Sequence, residues 1–163
     1  MKAKERKKVA PGDNRREAER LGTLGEEIPM TDADALRRCQ ELAEQARMAG
    51  EPAVGCIITR EGALIAEAGE SVHRLCDPTA HAELLAIRAA CAALGTLDLH
   101  GCVLYSNVEP CHMCAYALRE ARIDRVVFQR RVGPIGGTQP TEPLLGKWSE
   151  DWGEPPIVEI RDE

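Results

Sequence analysis

The chain has 163 residues, a length typical of one domain with a core of its own. Apolar residues make up 44% of it, but no stretch approaches the roughly 18 consecutive apolar residues that a membrane helix needs. The charged first 20 residues are not followed by an apolar segment, which argues against a secretory signal. We therefore expect no membrane segment and a soluble, cytoplasmic protein.

The net charge of −6 is unevenly distributed along the chain. Residues 1–20 hold eight Lys or Arg against four acidic residues, and the remainder holds 13 basic against 23 acidic residues. A domain that binds a polyanion usually shows a basic face, and the totals for residues 21–163 do not indicate one. The basic start is either a nucleic-acid-binding tail or a solubilising arm, and the second interpretation is favoured.

Seven cysteines are many for a chain of this length, and cytosolic thiols stay reduced for packing, chemistry or metal binding. Three of them stand in apolar runs and are predicted to pack as small hydrophobic residues: Cys56, Cys91 and Cys102. Cys111 and Cys114 have a spacing that suits a metal.

The first half of the chain predicts an extension, a helix and a hairpin. Residues 1–30 lack apolar periodicity and are expected to be a flexible extension to a domain of residues 31–163. Thr31 can cap a helix that ends at Gly50. Strands are predicted at 53–59 and 63–69 around a turn at 60–62, followed by a loop at 70–79.

The second half alternates between helix and strand. Asp77 and Pro78 resemble an N-cap and a first helical position, and the helix would run to Gly95. Its predicted buried face consists of Leu84, Ile87, Cys91 and Leu94. A strand at 102–106, a short helix from near Cys111 to Ala121 and strands at 125–129 and 156–160 follow, with an irregular segment at 130–156. A hairpin followed by this alternation predicts an α/β domain with helices on a mixed sheet.

Two short segments carry the chemistry: His81-Ala82-Glu83 and Pro110-Cys111-His112-Met113-Cys114. Zinc takes nitrogen and sulfur ligands tetrahedrally, and Cys-x-x-Cys lets two thiolates meet one ion from a single turn. His81 supplies a third ligand, and a catalytic site leaves the fourth position to water. The sequence alone leaves His112 open as a fourth ligand.

Glu83 stands two residues after His81, close enough to reach a metal-bound water without binding the metal. Zinc lowers the pKa of such a water towards about 7, and a neighbouring carboxylate can take its proton and pass it on. Taken singly, the histidine is typical of a core or surface residue, and Cys-x-x-Cys is also found in redox sites and structural zinc knuckles. Their combination with this spacing is typical of the zinc deaminases of nucleobases.

The segments DPTAHAE (77–83) and EPCHMC (109–114) resemble the cytidine/deoxycytidylate deaminase superfamily. They are most similar to its branch of tRNA adenosine deaminases, guanine deaminases and fungal-type cytosine deaminases. The resemblance covers about residues 31–130 and implies a three-layer α-β-α fold with a five-stranded mixed sheet, in a homodimer. It also implies one zinc per chain on His81, Cys111 and Cys114, with Glu83 as the catalytic proton shuttle. The backbone amides of Ala82 and Cys111 would contact the substrate.

The chain departs from the family pattern at Glu70, where the family usually has an asparagine that bonds the base or ribose. An ionised carboxylate only accepts hydrogen bonds, so Glu70 would favour a ring edge rich in N–H groups. The alternative is an exposed loop residue with no part in binding.

The C-terminal segment is a second departure, because tRNA-acting members carry basic residues there and this segment is acidic. In the free-base members the segment can close over the pocket, a role for which we consider Trp148, Asp151 and Trp152. Packing of the tryptophans onto the domain is the alternative.

The hypothesis from the sequence is a hydrolytic deaminase of a free base or small amino-heterocycle, guanine-like or cytosine-like. Adenosine-to-inosine editing of a tRNA anticodon is the alternative, supported by the motif match and the basic first 20 residues. A non-catalytic zinc-stabilised interaction domain is a third, which the presence of Glu83 argues against.

Overall fold

The computed structural model describes residues 28–161, which form one mixed sheet with helices on both faces. The strands are β1 (Gly55–Arg60), β2 (Ala63–Gly69), β3 (Cys102–Val108), β4 (Arg125–Arg130) and β5 (Ile157–Ile160). The helices are α1 (Asp32–Met48), the short α2 (Val72–Leu75), α3 (Ala82–Leu94) and α4 (His112–Glu120), with a 3-10 turn at Gly133–Ile135.

The strand order in the sheet is β2-β1-β3-β4-β5. The first three strands in that order pair antiparallel, and β3, β4 and β5 pair parallel. The parallel pair β3–β4 is connected through α4, as a parallel connection requires a crossover. The predicted three-layer architecture with a five-stranded mixed sheet is therefore confirmed.

Side chains alternate between the two faces of the sheet, so one strand serves two cores. In β1, Ile57 packs with the buried face of α1, whereas Cys56 and Ile58 pack in the cluster beneath α3 and α4. The second cluster is the larger one and includes Leu104, Val126 and Phe128 from the central strands. This two-sided burial explains why the central strands are almost continuously apolar.

Helix α1 begins where the sequence predicts. Thr31 and Asp34 form a capping box, in which the Thr31 hydroxyl accepts the Asp34 N–H and the Asp34 carboxylate accepts the Thr31 N–H. At Gly55 the helix and β1 come so close that a Cβ would collide with the Cys39 carbonyl. Glycine is therefore required at Gly55 for α1 to reach the sheet.

The predicted start of α3 at Asp77-Pro78 is wrong. The helix begins at Ala82 with His81 as its N-cap, because the Asp77 carboxylate bonds the N–H and hydroxyl of Thr79 in a local turn instead. The buried face differs in part from the prediction: Ile87 is buried as predicted, but the fully buried residues are Ala82, Ala86 and Ala90. Leu84, Cys91 and Leu94 are only partly buried, because the alanine face lets the helix approach the sheet more closely.

The thiols and the chain ends complete the fold. Cys56 and Cys102 are fully buried, as predicted, and Cys91 packs at the edge of the same cluster.

Met30, which we assigned to the extension, packs against the α1 cluster and donates its N–H to the Gly62 carbonyl. Residues 1–27, most of the predicted extension, lie outside the described residues. Within residues 28–161 no helix is long and apolar enough to span a bilayer.

Candidate metal centre

The two predicted segments meet because each lies at the N-terminus of a helix on the same face of the sheet. His81 is the N-cap of α3, and Cys111 is the N-cap of α4. The two helices pack against each other beside the sheet. Cys114, in the first turn of α4, then lies within reach of both residues.

The three side chains have the spacing that a tetrahedral zinc ion requires. The two sulfurs are 3.6 Å apart, and His81 Nδ1 lies 3.7 Å from Cys111 Sγ and 3.6 Å from Cys114 Sγ. Zinc–ligand bonds of about 2.3 Å to sulfur and about 2.1 Å to nitrogen give edges of about 3.8 and 3.6 Å in a tetrahedron. One nitrogen and two sulfurs at these distances fit zinc in both chemistry and geometry.

No fourth cysteine or histidine joins this group within the described part of the chain. His81, Cys111 and Cys114 form a cluster of potential ligand atoms, and neither His112 nor Cys76 belongs to it. The Nε2 atom of His112 is buried without a hydrogen-bond partner, away from this group of ligand atoms. The arrangement is that of a site with three protein ligands and one open position.

Glu83 lies beside the cluster and is almost completely buried. Its Oε2 is 3.6 Å from Cys114 Sγ. Burial raises the pKa of Glu83 to about 7, with smaller contributions from the neighbouring Glu70 and Cys111 charges. A carboxyl group with a pKa near neutrality is suited to accept and return a proton.

The start of α4 favours an ionised sulfur at Cys111. A hydrogen bond from the Cys114 thiol and the backbone N–H groups of Cys114 and Met113 lower the pKa of Cys111 to about 5. These N–H groups carry the positive end of the helix dipole. The thiolate is the form of cysteine that binds a metal.

Glu70 is buried at the end of β2 with only 6% of its surface exposed, so the alternative of an exposed loop residue is wrong. Its Oε2 accepts the Ala82 N–H at 2.8 Å, and its Oε1 lies 3.8 Å from His81 Nε2. Burial raises the pKa of Glu70, while the Ala82 N–H and His81 oppose the rise. The Ala82 amide, predicted to contact substrate, is thus already bonded to Glu70. The substrate contact of the Cys111 amide stays a prediction.

Sequence reasoning missed Glu109, the residue before Pro110. Its buried carboxylate accepts the N–H of Val132 at 3.2 Å and both the N–H and hydroxyl of Thr138 at 3.0 and 2.5 Å. Gly136 lies against this carboxylate so closely that a Cβ would collide with it. Glu109 therefore fixes the loop after β4 beside Cys111, and the acid in EPCHMC was the available signal.

Of the three C-terminal residues considered for substrate binding, Trp152 has defined packing partners on α4. Trp152 contacts Tyr116 edge to face at 4.9 Å between ring centroids and donates its indole N–H to Glu120. Tyr116 is two residues after Cys114, so it projects about 200° around the helix from that ligand. This geometry favours the packing alternative for Trp152. Trp148 is 55% exposed and Asp151 is exposed, and a substrate contact of these two residues stays a prediction.

Arg119 organises this segment and was also missed. It is buried in α4 and donates to the carbonyls of Leu144, Lys147 and Gly153 at 2.9, 2.7 and 3.1 Å. Its guanidinium also lies 5.2 Å from the ring centroid of Trp152. An arginine in an amphipathic helix gives no sequence signal for such a role.

Comparison with known proteins agrees with this geometry. The model of the cytidine and deoxycytidylate deaminase zinc-binding region matches residues 29–130. The chain is 54% identical over 103 residues to a tRNA-specific adenosine deaminase of Aquifex aeolicus, covering 63% of this chain and 66% of that one. It is 47% identical over 74 residues to a guanine deaminase of Bacillus subtilis, covering 45% and 47%.

A solved structure from a study of A-to-I editing by tRNA:A34 deaminases at the wobble position superimposes with a TM-score of 0.72 and 31% identity. The match covers 78% of this chain and 91% of that one. The chain thus spans about two thirds of the Aquifex relative and about half of the Bacillus one. The match of the family model over most of the described domain places the chain in the cytidine and deoxycytidylate deaminase family, whose zinc-binding region it carries.

Proposed function

We propose that the protein is a zinc-dependent hydrolytic deaminase, with His81, Cys111 and Cys114 as zinc ligands and Glu83 as the proton shuttle. The observation that carries this proposal is the three-ligand cluster with a buried carboxyl group beside it. A closed structural zinc site has four protein ligands and no need of Glu83. The alternative of a non-catalytic interaction domain is therefore disfavoured.

When bound, zinc supplies the Lewis acidity that lowers the pKa of a water molecule to about 7. The Glu83 carboxylate would accept one proton from the attacking water and deliver it to a ring nitrogen of the base, while the water oxygen bonds the ring carbon that carries the amino group. Glu83 would then take the second proton from the hydroxyl group on that carbon and deliver it to the amino group. The C–N bond breaks, ammonia leaves, and a carbonyl oxygen stands in its place. The burial of Glu83 keeps its proton from exchanging with bulk solvent during these transfers.

For the substrate, we propose the adenosine at the wobble position of a tRNA anticodon. The sequence alone favoured a free base, but both the 54% identity to the Aquifex tRNA-specific adenosine deaminase and the superposition on the tRNA:A34 deaminase structure support the tRNA alternative. A guanine-like free base is the second candidate, supported by the 47% identity to the Bacillus guanine deaminase. The acidic balance of residues 21–163 also favours a small substrate.

The test uses the full zinc-loaded chain and two substrates. A tRNA transcript with adenosine at the wobble position should acquire inosine, whereas the same transcript with guanosine there should not change. Ammonia release from free guanine is measured in parallel, and Glu83→Gln is the inactive control for both. Release of ammonia from guanine alone would move the assignment to the second candidate. No reaction on either by a zinc-loaded chain would overturn these substrates.

The family resemblance further implies a homodimer, and we propose one here. Met113 and Tyr116 lie on the outer side of α4, where 38% and 52% of their surfaces are exposed. Light scattering after size exclusion gives the mass directly, and a particle of the monomer mass of 17.8 kDa would contradict the dimer. We also propose a cytoplasmic location, because both candidate substrates, a tRNA and a free nucleobase, are cytoplasmic molecules.

A further inference from the structure

The ring of His81 faces two different groups through its two nitrogens. Nδ1 points towards the sulfurs of Cys111 and Cys114 at 3.7 and 3.6 Å. Nε2, on the other side of the ring, lies 3.8 Å from Oε1 of Glu70. A neutral imidazole carries one proton, so a ring that binds a metal through Nδ1 must hold its proton on Nε2, facing Glu70.

Glu70 is held in place by the same turn that carries His81. Its second oxygen, Oε2, accepts the N–H of Ala82, the next residue, at 2.8 Å. The neighbouring Ser71 donates its N–H to the Ala80 carbonyl at 3.1 Å. The end of β2 is thus attached to the turn on both sides of His81, through the main chain of Ala80 and of Ala82.

We propose that Glu70 is a positioning residue for His81: its carboxylate accepts the Nε2–H, fixes the tautomer and orients Nδ1 towards the zinc. The 3.8 Å separation is about 0.8 Å longer than a hydrogen bond, so the proposal requires Oε1 to move by that amount towards Nε2. Histidine ligands of zinc commonly donate their other N–H to a carboxylate, which also makes them better ligands. Both oxygens of Glu70 are then engaged with the protein, which replaces the expectation that Glu70 reads the substrate.

This inference rests on the proposed function only in that His81 binds zinc, and it does not depend on the substrate. Glu70→Gln is the informative variant because its amide has one oxygen and one NH₂ group. If the oxygen accepts the Ala82 N–H, the NH₂ group faces the His81 N–H, and the reverse orientation loses the Ala82 bond. Removing such an outer partner typically weakens metal affinity about 10- to 100-fold.

Glu51→Gln is the matched control. Glu51 is as buried as Glu70, at 7% against 6% exposure, and it also accepts backbone N–H groups, those of His73 and Arg74. It does not belong to the His81, Cys111 and Cys114 cluster, nor to the group of neighbouring ligand atoms that Glu70, His81 and Glu83 form, among the described residues. Both residues thus hold the segment between Glu70 and His81. A loss of zinc affinity that comes only from loosening of this segment would therefore appear in both variants.

The experiment measures the zinc dissociation constant of the full chain by competition with a chromophoric chelator. We expect about a 10- to 100-fold weaker affinity in Glu70→Gln and a change of less than about threefold in Glu51→Gln. Unchanged affinity in Glu70→Gln, or equal weakening in both variants, would overturn the inference. A wild-type chain that binds no zinc would overturn the proposed function as well, so the two failures are distinguishable.

A second measurement is made on the wild-type chain, and a variant is needed only to assign its signals. Proton–nitrogen spectra of the histidine rings in the zinc-loaded wild-type chain should show a proton on Nε2 of His81 that exchanges slowly with water. Assignment uses a His81→Gln sample. A proton on Nδ1, or an Nε2 proton that exchanges as fast as that of the exposed His100, would contradict the role of Glu70.

Discussion

The start of α3 and α4 and the segment after β4 differ in how their structure is determined. At the helix starts, the proposed zinc ligands come from two stretches of a few residues, and the geometry within each follows from its local spacing. Residues 130–161 have little regular structure, and their path depends on distant side chains, above all Arg119, Glu109 and Asp32. Short-range spacing is visible in a sequence, whereas an anchor 25 to 129 residues away is not.

The helix starts and the C-terminal segment also differ in the role that we propose for them. The helix starts hold the groups that we propose bind zinc and move protons, so a change there should alter zinc binding or turnover. The C-terminal segment packs on the far side of α4 through Trp152, and a change there should alter stability more than turnover. The predictions below test this division.

The largest effect is expected for Glu83→Gln. The amide keeps the shape of the side chain but cannot take up and return a proton, so turnover should fall about 10²- to 10⁴-fold. Zinc content and the unfolding transition should remain close to wild type, because Glu83 is not among the three ligands. Steady-state kinetics and metal analysis of the same sample measure both quantities.

Glu44→Gln is the control, since Glu44 is an exposed residue of α1 whose one ion-pair partner within residues 28–161 is Arg47. Its turnover should equal that of the wild type. Stoichiometric loss of zinc in Glu83→Gln would mean that Glu83 is itself a ligand. Turnover within tenfold of wild type would mean that another group carries the proton.

The sequence predicted much of the fold and the ligand cluster, for identifiable reasons. The Thr31 cap, the apolar strands and the Cys-x-x-Cys spacing are local signals, and each was found where expected. The start of α3 was misplaced because Asp77 can either cap a helix or bond Thr79, and only the position of His81 at the site selects between these. Glu70 was recognised as unusual, but its bond to Ala82 requires the folded turn.

The second prediction concerns the anchor of the C-terminal segment. Arg119→Met fills a similar volume but leaves the carbonyls of Leu144, Lys147 and Gly153 without their donor. Hydrogen bonds from a charged donor contribute more than neutral ones, so the loss of these three part-buried bonds should lower the free energy of unfolding by about 1–3 kcal/mol. Urea unfolding measures this change, and zinc affinity should stay the same.

Arg122→Met is the matched control, because Arg122 is exposed and only 3.6 Å from Asp98 in a surface ion pair. Its effect should remain below about 0.5 kcal/mol. Equal stability of the two variants would show that Arg119 does not anchor the segment. A large loss of zinc affinity in Arg119→Met would show that the two regions are coupled.

A third prediction concerns Asp32, which connects α1 to β4 and to the end of the chain. Its carboxylate bonds Arg125 at 2.9 and 2.5 Å, Tyr105 at 2.7 Å and Arg161 at 3.3 Å. The Arg125 guanidinium is the main cause that lowers the pKa of Asp32 from 3.8 to about 2. A lowered pKa stabilises the folded state above pH 3.8, and this contribution is lost as the pH falls from 3.8 towards 2.

Asp32→Asn should therefore reduce the free energy of unfolding by about 1–2 kcal/mol at neutral pH, after allowance for solvent screening of a partly exposed pair. The difference between variant and wild type should shrink below pH 4 and nearly vanish by pH 2. Urea unfolding at a series of pH values gives the profile. A difference that is independent of pH would mean that packing, and not the charge of Asp32, stabilises this junction.

The smallest effect on catalysis is expected for Trp152→Ala, and it tests the comparison most directly. The indole stacks edge to face on Tyr116 and lies beside Arg119, contacts that are typically worth about 1 kcal/mol each in stability. Because these contacts lie on the side of α4 away from Cys114, catalytic efficiency on a small base or a tRNA should change less than about threefold.

Trp148→Ala is the control with the opposite environment, since Trp148 is 55% exposed. If Trp152 only supports the segment, Trp152→Ala should be less stable than Trp148→Ala and equally active. A tenfold or larger loss of efficiency in either variant, with zinc content unchanged, would instead return that tryptophan to the substrate pocket as a closing residue.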